Sequence, residues 1–279
     1  MNVDELRRKK NLSVGPVKEA LYIIKIGGNV IDDDTALVSF LKDFSTIAGK
    51  KILVHGGGKI ATSIGDKLGI QSKYIDGRRV TDDETIGLVT MVYGGLVNKK
   101  IVASLQALHC SAIGLTGADA SVLPAIKRPV KEIDYGWVGD INAGDINPHI
   151  WQIFLDNDLV PVLAPLTHDG NSHILNTNAD TMSAVLSIAM AKCYDVKLIY
   201  CFEKNGILED VNDEDSVIPK MDIDLYKKLK QENRLYAGIL PKIDNALFAA
   251  NNGVAEIIIG NSNSLLQLVN GENGTKISG

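Results

Sequence analysis

Two lysines in this sequence stand where a lysine is costly, and an anion would relieve both. Lys25 lies near the end of "LYIIKIGG", a short and nearly continuous apolar run that reads as a strand buried on both faces of a parallel sheet. Burying its ammonium forfeits hydration worth about several kcal/mol unless an anion or an ordered hydrogen-bond network replaces it. Lys242 lies in "GILPKIDNALFAA", where Pro241 suits a first helical position and the lysine falls in the first turn. A cation there opposes the helix dipole at a cost of about a few tenths of a kcal/mol, and a phosphate would reverse the sign. Asp180, in "NTNAD" before an Ala- and Met-rich helical pattern, is the natural carboxylate to hold both ammonium groups. A fourth cluster, Gly56, Gly57 and Gly58 in "VHGGGK", joins a strand to a helix, where bare backbone N–H groups can approach an anion.

Each cluster alone has a plainer reading. Lys25 could snorkel to solvent, the glycines could form a tight turn, "NTNAD" could be an N-cap, and Lys242 could be a solvated charge. Together they fall at the carboxyl edge of one sheet, where open α/β folds bind ligands. Rival motifs fail. No G-x-x-x-x-G-K-[ST] loop is present, and no G-x-S-x-G elbow accompanies the His-Gly-Gly-Gly run. Gly56-x-Gly58-x-x-Ala61 with Asp76 is a weak dinucleotide fingerprint, but it follows the second strand and leaves Lys25, Asp180 and Lys242 unexplained.

The elements that must position these residues alternate. Strands are expected at 21–26, 51–55, 111–116, 159–165, 196–202 and 255–260. Between them lie helical stripes (Leu37, Leu41, Phe44, Ile47; Ile60, Ile64, Leu68), a long pattern over 83–108 interrupted at Gly94-Gly95, and another over 179–193. This order implies a three-layer α/β fold, an open, mostly parallel sheet sandwiched between helices. Segments 134–150 and 167–175 read as inserted hairpins. A boundary near residue 175 carries nothing linker-like, so two lobes on one continuous sheet are expected. The chain has 279 residues, 45% of them hydrophobic, a net charge of −5 and a pI near 5.6. That balance argues against a nucleic-acid or anionic-membrane partner. No apolar run approaches the ~18 residues of a membrane span, and "MNVDELRRKKNLS" lacks the apolar core of a secretory signal, so a cytoplasmic location is expected. Cys110, Cys193 and Cys201 have no metal-ligand spacing and read as buried, reduced thiols.

From residue 20 to the C-terminus the sequence resembles the amino acid kinase family. The segments "IIKIGG", "VHGGGK", "DGRRVTDDET", "GLTGAD", "NTNAD" and "GILPKIDNALFAA" stand in that family's order and spacing. "RRVTD", "VYGGLVNKKIV", "WVGDI" and "INPHI" are similar to the branch that phosphorylates N-acyl-L-glutamate, N-acetyl-L-glutamate foremost, in the second step of arginine biosynthesis. The resemblance implies one kinase domain over 1–279. Its N-terminal lobe, 20–175, would bind the acylamino acid and dimerise, and its C-terminal lobe, 176–279, would bind nucleotide. Phosphoryl transfer from ATP with Mg2+ to a side-chain carboxylate is implied, the metal being carried by ATP with no protein ligands. By similarity Lys25, Lys242 and Asp180 are catalytic, and Gly57, Gly58, Arg79 and Asn176 bind the acylamino acid. Gly27, Gly28, Glu203, Gly206, Gly238 and Lys242 are implied on the nucleotide side. The chain departs from the pattern at "CFEKNGIL", where Phe202 and Glu203 replace a Ser/Thr-Asp pair, and its N-terminal extension is short. A homodimer without strong arginine feedback is therefore expected. Lys73 or Arg78 could receive the extra carboxylate of N-succinyl-L-glutamate, an alternative substrate. Another small carboxylate or carbamate kinase of this fold, a silent effector-binding protein and a dinucleotide-binding protein are the remaining alternatives.

Overall fold

The computed structural model describes residues 18–279 apart from Asp76 and Ala237, so the basic N-terminal stretch and the Asp76 of the dinucleotide reading lie outside the described residues. Eight strands form the central sheet: β1 (Ala20–Ile26), β2 (Lys50–His55), β3 (Ala112–Leu115), β4 (Val160–Leu163), β5 (Asp195–Phe202), β6 (Lys220–Met221), β7 (Glu256–Asn261) and β8 (Thr275–Ile277). Their spatial order is β6-β8-β7-β5-β1-β2-β4-β3. Every pairing is parallel except β7 with β8. The six expected strands are all present, and the two missed ones, β6 at the edge and β8 beside it, have too few residues to show a period.

The sheet is buried on both faces because its strands are apolar at nearly every position. Alternation then decides which helices each side chain meets. Leu21 and Ile23 pack with Met182, Leu186 and Ile243, from the helices Ala179–Met190 and Leu240–Asn251. Ile24 and Ile26 pack on the other face with Phe40, Phe44, Val97 and Ile101, from the helices Asp34–Thr46 and Asp83–Ala107. Lys25, odd-numbered like Leu21 and Ile23, is thereby turned toward the helix that carries Asp180.

Three expectations change. The pattern over 83–108 is one continuous helical run, Asp83–Ala107, whose centre is a π-helical turn over Thr90–Val97. Gly94 and Gly95 sit in that turn instead of breaking the helix, and a Cβ on Gly94 would come within 3.3 Å of Leu166 Cδ1. By length and mean hydropathy, 1.3, this helix could cross a membrane. Here Leu88, Val89, Val92, Val97, Ile101 and Leu105 are buried in the core, the seating of a core helix. Segment 134–150 is not a hairpin of its own. Gly139–Asp140 pairs with Ile126–Lys127 outside it, and Asn147 Oδ1 accepts from His149 N at 3.1 Å to start the helix Pro148–Leu155. The other hairpin holds, Leu166–His168 pairing antiparallel with Ile174–Asn176. Finally, Cys110 and Cys201 are buried but Cys193 is exposed, in the turn after the helix that begins at Ala179.

One buried charge belongs to the scaffold. Lys51 on β2 donates to the carbonyls of Phe44, Ser45 and Ile47 at 2.9, 3.0 and 2.6 Å, capping the helix Asp34–Thr46. Replacing it by methionine keeps the stem and strands these carbonyls. Lys51→Met is expected to destabilise the fold by about 2 kcal/mol, read as a lower urea midpoint with turnover of the remaining folded protein intact.

Candidate active site

The site lies at the carboxyl ends of β1 and β2, where each strand runs into glycine. After β1, Gly27 N donates to Cys201 O at 3.3 Å; after β2, Gly56 N donates to Ile26 O at 3.2 Å. These bonds splice both turns to the sheet edge. Gly57 takes φ +146°, a conformation that calls for glycine, and a Cβ there would meet the Tyr93 ring tightly at 3.1 Å. It precedes the helix Gly58–Leu68, whose start no side chain caps. Behind the turn, His55 is fully buried and neutral. Burial chiefly lowers its pKa to about 4, while Nδ1 donates to Gly56 O at 2.7 Å and Nε2 accepts from Asn98 at 3.2 Å.

Across the gap, Asn178 accepts from Thr181 N at 3.0 Å and starts the helix Ala179–Met190, placing Asp180 in the first turn. Tyr200 OH donates to Asp180 O at 2.9 Å, fixing that turn to β5. The Asp180 carboxylate lies 2.6 Å from Lys25 Nζ through Oδ1 and 3.1 Å from Lys242 Nζ through Oδ2. Despite that proximity Oδ1 makes no well-directed hydrogen bond. Burial would raise the Asp180 pKa, but Lys25 and then Lys242 outweigh it and hold the carboxyl at about 2. Burial lowers the Lys25 pKa; Asp180 opposes that shift and Lys242 adds to it. Two cations around one anion leave a net positive centre.

Lys25 and Asp180 border a cavity of about 260 Å³. Gly28, Gly57, Gly58, Arg79 and Asn176, all expected site residues, line it too. Arg79 comes from a hairpin, Lys73–Ile75 with Arg78–Val80, too short to be legible in the sequence. It is buried; Nη2 donates to Gly58 O at 2.8 Å and Thr62 Oγ1 at 2.9 Å, Nη1 donates to Ser72 Oγ, and the Tyr74 ring lies 4.8 Å from Cζ. None of these partners is a carboxylate. Asn176 Nδ2 donates to Thr81 Oγ1 at 3.0 Å, joining the two walls. Arg78, the candidate for an extra carboxylate, borders the cavity, and Lys73 does not.

A model of the amino acid kinase family matches residues 20–261. The chain belongs to the amino acid kinase family. It is 52% identical over 263 residues to the acetylglutamate kinase of Cytophaga hutchinsonii, covering 93% of this chain and 98% of that one. It is 48% identical to the acetylglutamate kinase of Phocaeicola vulgatus over 94% of this chain and 99% of the relative. Among solved structures it is similar to smu.665 from Streptococcus mutans UA159, with a TM-score of 0.75, 28% identity and coverage of 92% and 98%. The three-layer fold expected of the amino acid kinase family is the fold observed.

The other expected residues of this amino acid kinase are distributed differently. Lys242 reaches Asp180 without lining the cavity, and Gly27 does not line it. Glu203 and Gly238 both neighbour Tyr236, whose hydroxyl burial and then Glu203 push upward in pKa; a Cβ on Gly238 would meet its ring at 3.5 Å, ordinary contact. Gly206 is a packing glycine, since a Cβ there would fall 2.7 Å from Val217 Cγ1 and 2.8 Å from Thr275 Oγ1. Phe202, in the Ser/Thr place of the pattern, is buried in the core. Tyr93, Arg128 and Val138 line the cavity and escaped the sequence reading, because each arrives from an element whose placement only the tertiary fold decides. Asp180→Asn would leave two ammonium groups without their anion. It is expected to cost about 3 kcal/mol or more, seen as a lower Tm that polyphosphate restores in part, because polyphosphate supplies the missing negative charge.

Proposed function

We propose that this protein transfers the γ-phosphoryl group of ATP to the side-chain carboxylate of N-acetyl-L-glutamate, forming an acyl phosphate for arginine biosynthesis. The observation that carries this reading is the Lys25–Asp180–Lys242 cluster beside a glycine-walled cavity that also holds Arg79. The nucleophile needs no base, since a glutamate side chain, with a pKa of about 4.3, is ionised at pH 7. A carboxylate oxygen bonds to the γ-phosphorus as the bond to the bridging oxygen of ADP breaks, and no proton moves. The difficulty is repulsion between anions, and positive charge fixed before the reaction lowers that barrier.

Lys25 then meets the phosphoryl oxygens in flight and Lys242 meets them from the nucleotide side, with Asp180 keeping both ammonium groups aimed. The N–H groups of Gly28, Gly57 and Gly58 cradle the phosphoryl group and the reacting carboxylate. Arg79 takes the α-carboxylate, and Asn176 the acylamino group. Gly27, Glu203 and Gly238 belong to the nucleotide side, with Gly206 acting there through packing. ATP would bring its own Mg2+, which would screen the charge of the phosphates. Residues 20–175 form the acylamino-acid lobe and 176–279 the nucleotide lobe of a cytoplasmic homodimer. Met91 and Leu96, exposed on the helix Asp83–Ala107, supply an apolar face for that contact.

ADP release with hydroxamate trapping, run side by side on N-acetylglutamate, N-succinylglutamate, glutamate and aspartate, tests the reaction. Turnover on N-acetylglutamate is expected; turnover confined to another acceptor would replace the substrate, and silence from folded protein would refute the activity. Lys25→Ala and Lys242→Ala are each expected to lose about a hundredfold in turnover while staying folded. Arg79→Lys is expected to raise KM for the acylamino acid above all, because a point charge cannot reproduce the guanidinium fork.

The pH dependence has a definite sign. In the free enzyme burial lowers Lys25 below the ordinary 10.5, so its charge is lost as pH rises through that lowered value. Bound phosphates favour the ammonium. The alkaline limb of kcat/KM for ATP is therefore expected at lower pH than that of kcat. Coincident limbs would remove Lys25 from the role.

A further inference from the structure

Arg128 borders the cavity but has none of the roles assigned above. It follows the short strand Ile126–Lys127, and its backbone N–H donates to Val138 O at 2.8 Å. Val138 bridges in turn to Asn176, so the wall runs from Asn176 through Val138 to Arg128, and all three line the cavity. Arg128 thus stands one strand beyond the residue placed at the acylamino group.

Its guanidinium is fixed. Nε donates to the two Asp140 oxygens at 3.1 and 3.2 Å, Nη2 donates to Oδ1 at 2.6 Å, and the Tyr135 ring lies 5.4 Å from Cζ. That clamp occupies the side-on edge. The end-on edge, Nη1 with the outer hydrogen of Nη2, has no protein acceptor among the described residues. A planar donor pair held this way binds an oxygen acceptor with little further loss of freedom.

We infer that Arg128 is a specificity-determining residue that donates this edge to an oxygen of the substrate's N-acyl group, with Asp140 as its positioning residue. The inference rests on the acylglutamate reading proposed above. A merely structural clamp would close the strand pair Ile126–Lys127 and Gly139–Asp140 and have no influence on substrate choice.

The test is steady-state kinetics of the full chain, with Tm measured on the same samples. Wild type, Arg128→Met, Arg128→Lys and Asp140→Asn are compared on N-acetylglutamate and N-succinylglutamate, with unacylated glutamate as a competitor. Arg128→Met is expected to raise KM for acylated substrate about tenfold or more, with kcat changed by about twofold at most. The KM for ATP and the Ki of glutamate should not move. Arg128→Lys should recover part of the loss, and Asp140→Asn should shift KM the same way by less. Equal losses on both substrates place the contact at the amide carbonyl, whereas a larger loss on N-succinylglutamate places it at the acyl tail; both support the assignment. A Ki for glutamate that rises as much as KM, or a lower Tm with KM unmoved, overturns it. Wild type inactive on both acylated substrates would instead refute the activity beneath it.

Discussion

Three charges meet where the end of β1 faces the first turns of two helices, and most of the site depends on their staying together. Asp180 contacts Lys25 at 2.6 Å and Lys242 at 3.1 Å, with most of all three side chains removed from water. Desolvation of such groups costs several kcal/mol each, and a single carboxylate offsets it incompletely for two ammonium groups. The unliganded centre is left with surplus positive charge in a region of low dielectric. In the proposed reaction an incoming phosphoryl group would complete a balance that the fold leaves open. In binding terms this is a preorganised anion site, whose orientation cost has been met during folding.

The sheet makes the arrangement possible through parity and direction. Odd-numbered side chains of β1 face the helix Ala179–Met190, so Lys25 must meet Asp180 there and not the helices of the other layer. Parallel strands deliver their carboxyl ends, and the turns that follow them, to the same edge. Tyr93 closes one side of the glycine turn so tightly that a Cβ at Gly57 would lie 3.1 Å from its ring. That contact couples the long helix Asp83–Ala107 to the glycine wall of the cavity. The π-turn between Thr90 and Val97 includes Tyr93, so the irregular part of the helix is the part that touches the site.

How much of this was legible in the sequence follows the range of the interactions. Lys25, Gly57, Asp180 and Lys242 could be singled out because each is conspicuous against its own neighbours: a cation in an apolar strand, bare backbone before a helix, and acid and base in first turns. The central strands were legible for the same local reason. Arg128 was not, since nothing between Ile126 and Val130 foretells a clamp by Asp140, twelve residues away. The partner of Gly139–Asp140 was missed likewise, because pairing Ile126 with Asp140 is a tertiary choice that two residues per strand cannot encode. Cys193 was misplaced because its helix ends before it, and helix ends are where a periodic reading is weakest.

The two buried or half-buried arginines of the cavity differ in a way that orders the substrate. Arg79 is held by a carbonyl and hydroxyl groups, so its positive charge stays uncompensated at that wall. Arg128 is paired with Asp140, so it contributes direction with little net charge. In the proposed reading a dianionic amino acid derivative entering the cavity meets buried cationic poles at Arg79 and the Lys25 centre, the exposed Arg78 beside them, and one neutralised donor. In the proposed reaction the carboxylate that Arg79 takes would be held away from the other, and the chain between them would set which one reaches Lys25. Selection of the side-chain carboxylate as the nucleophile in that reaction would follow from the placement of Arg79 and Lys25, without a base or any group that distinguishes one carboxylate chemically from the other.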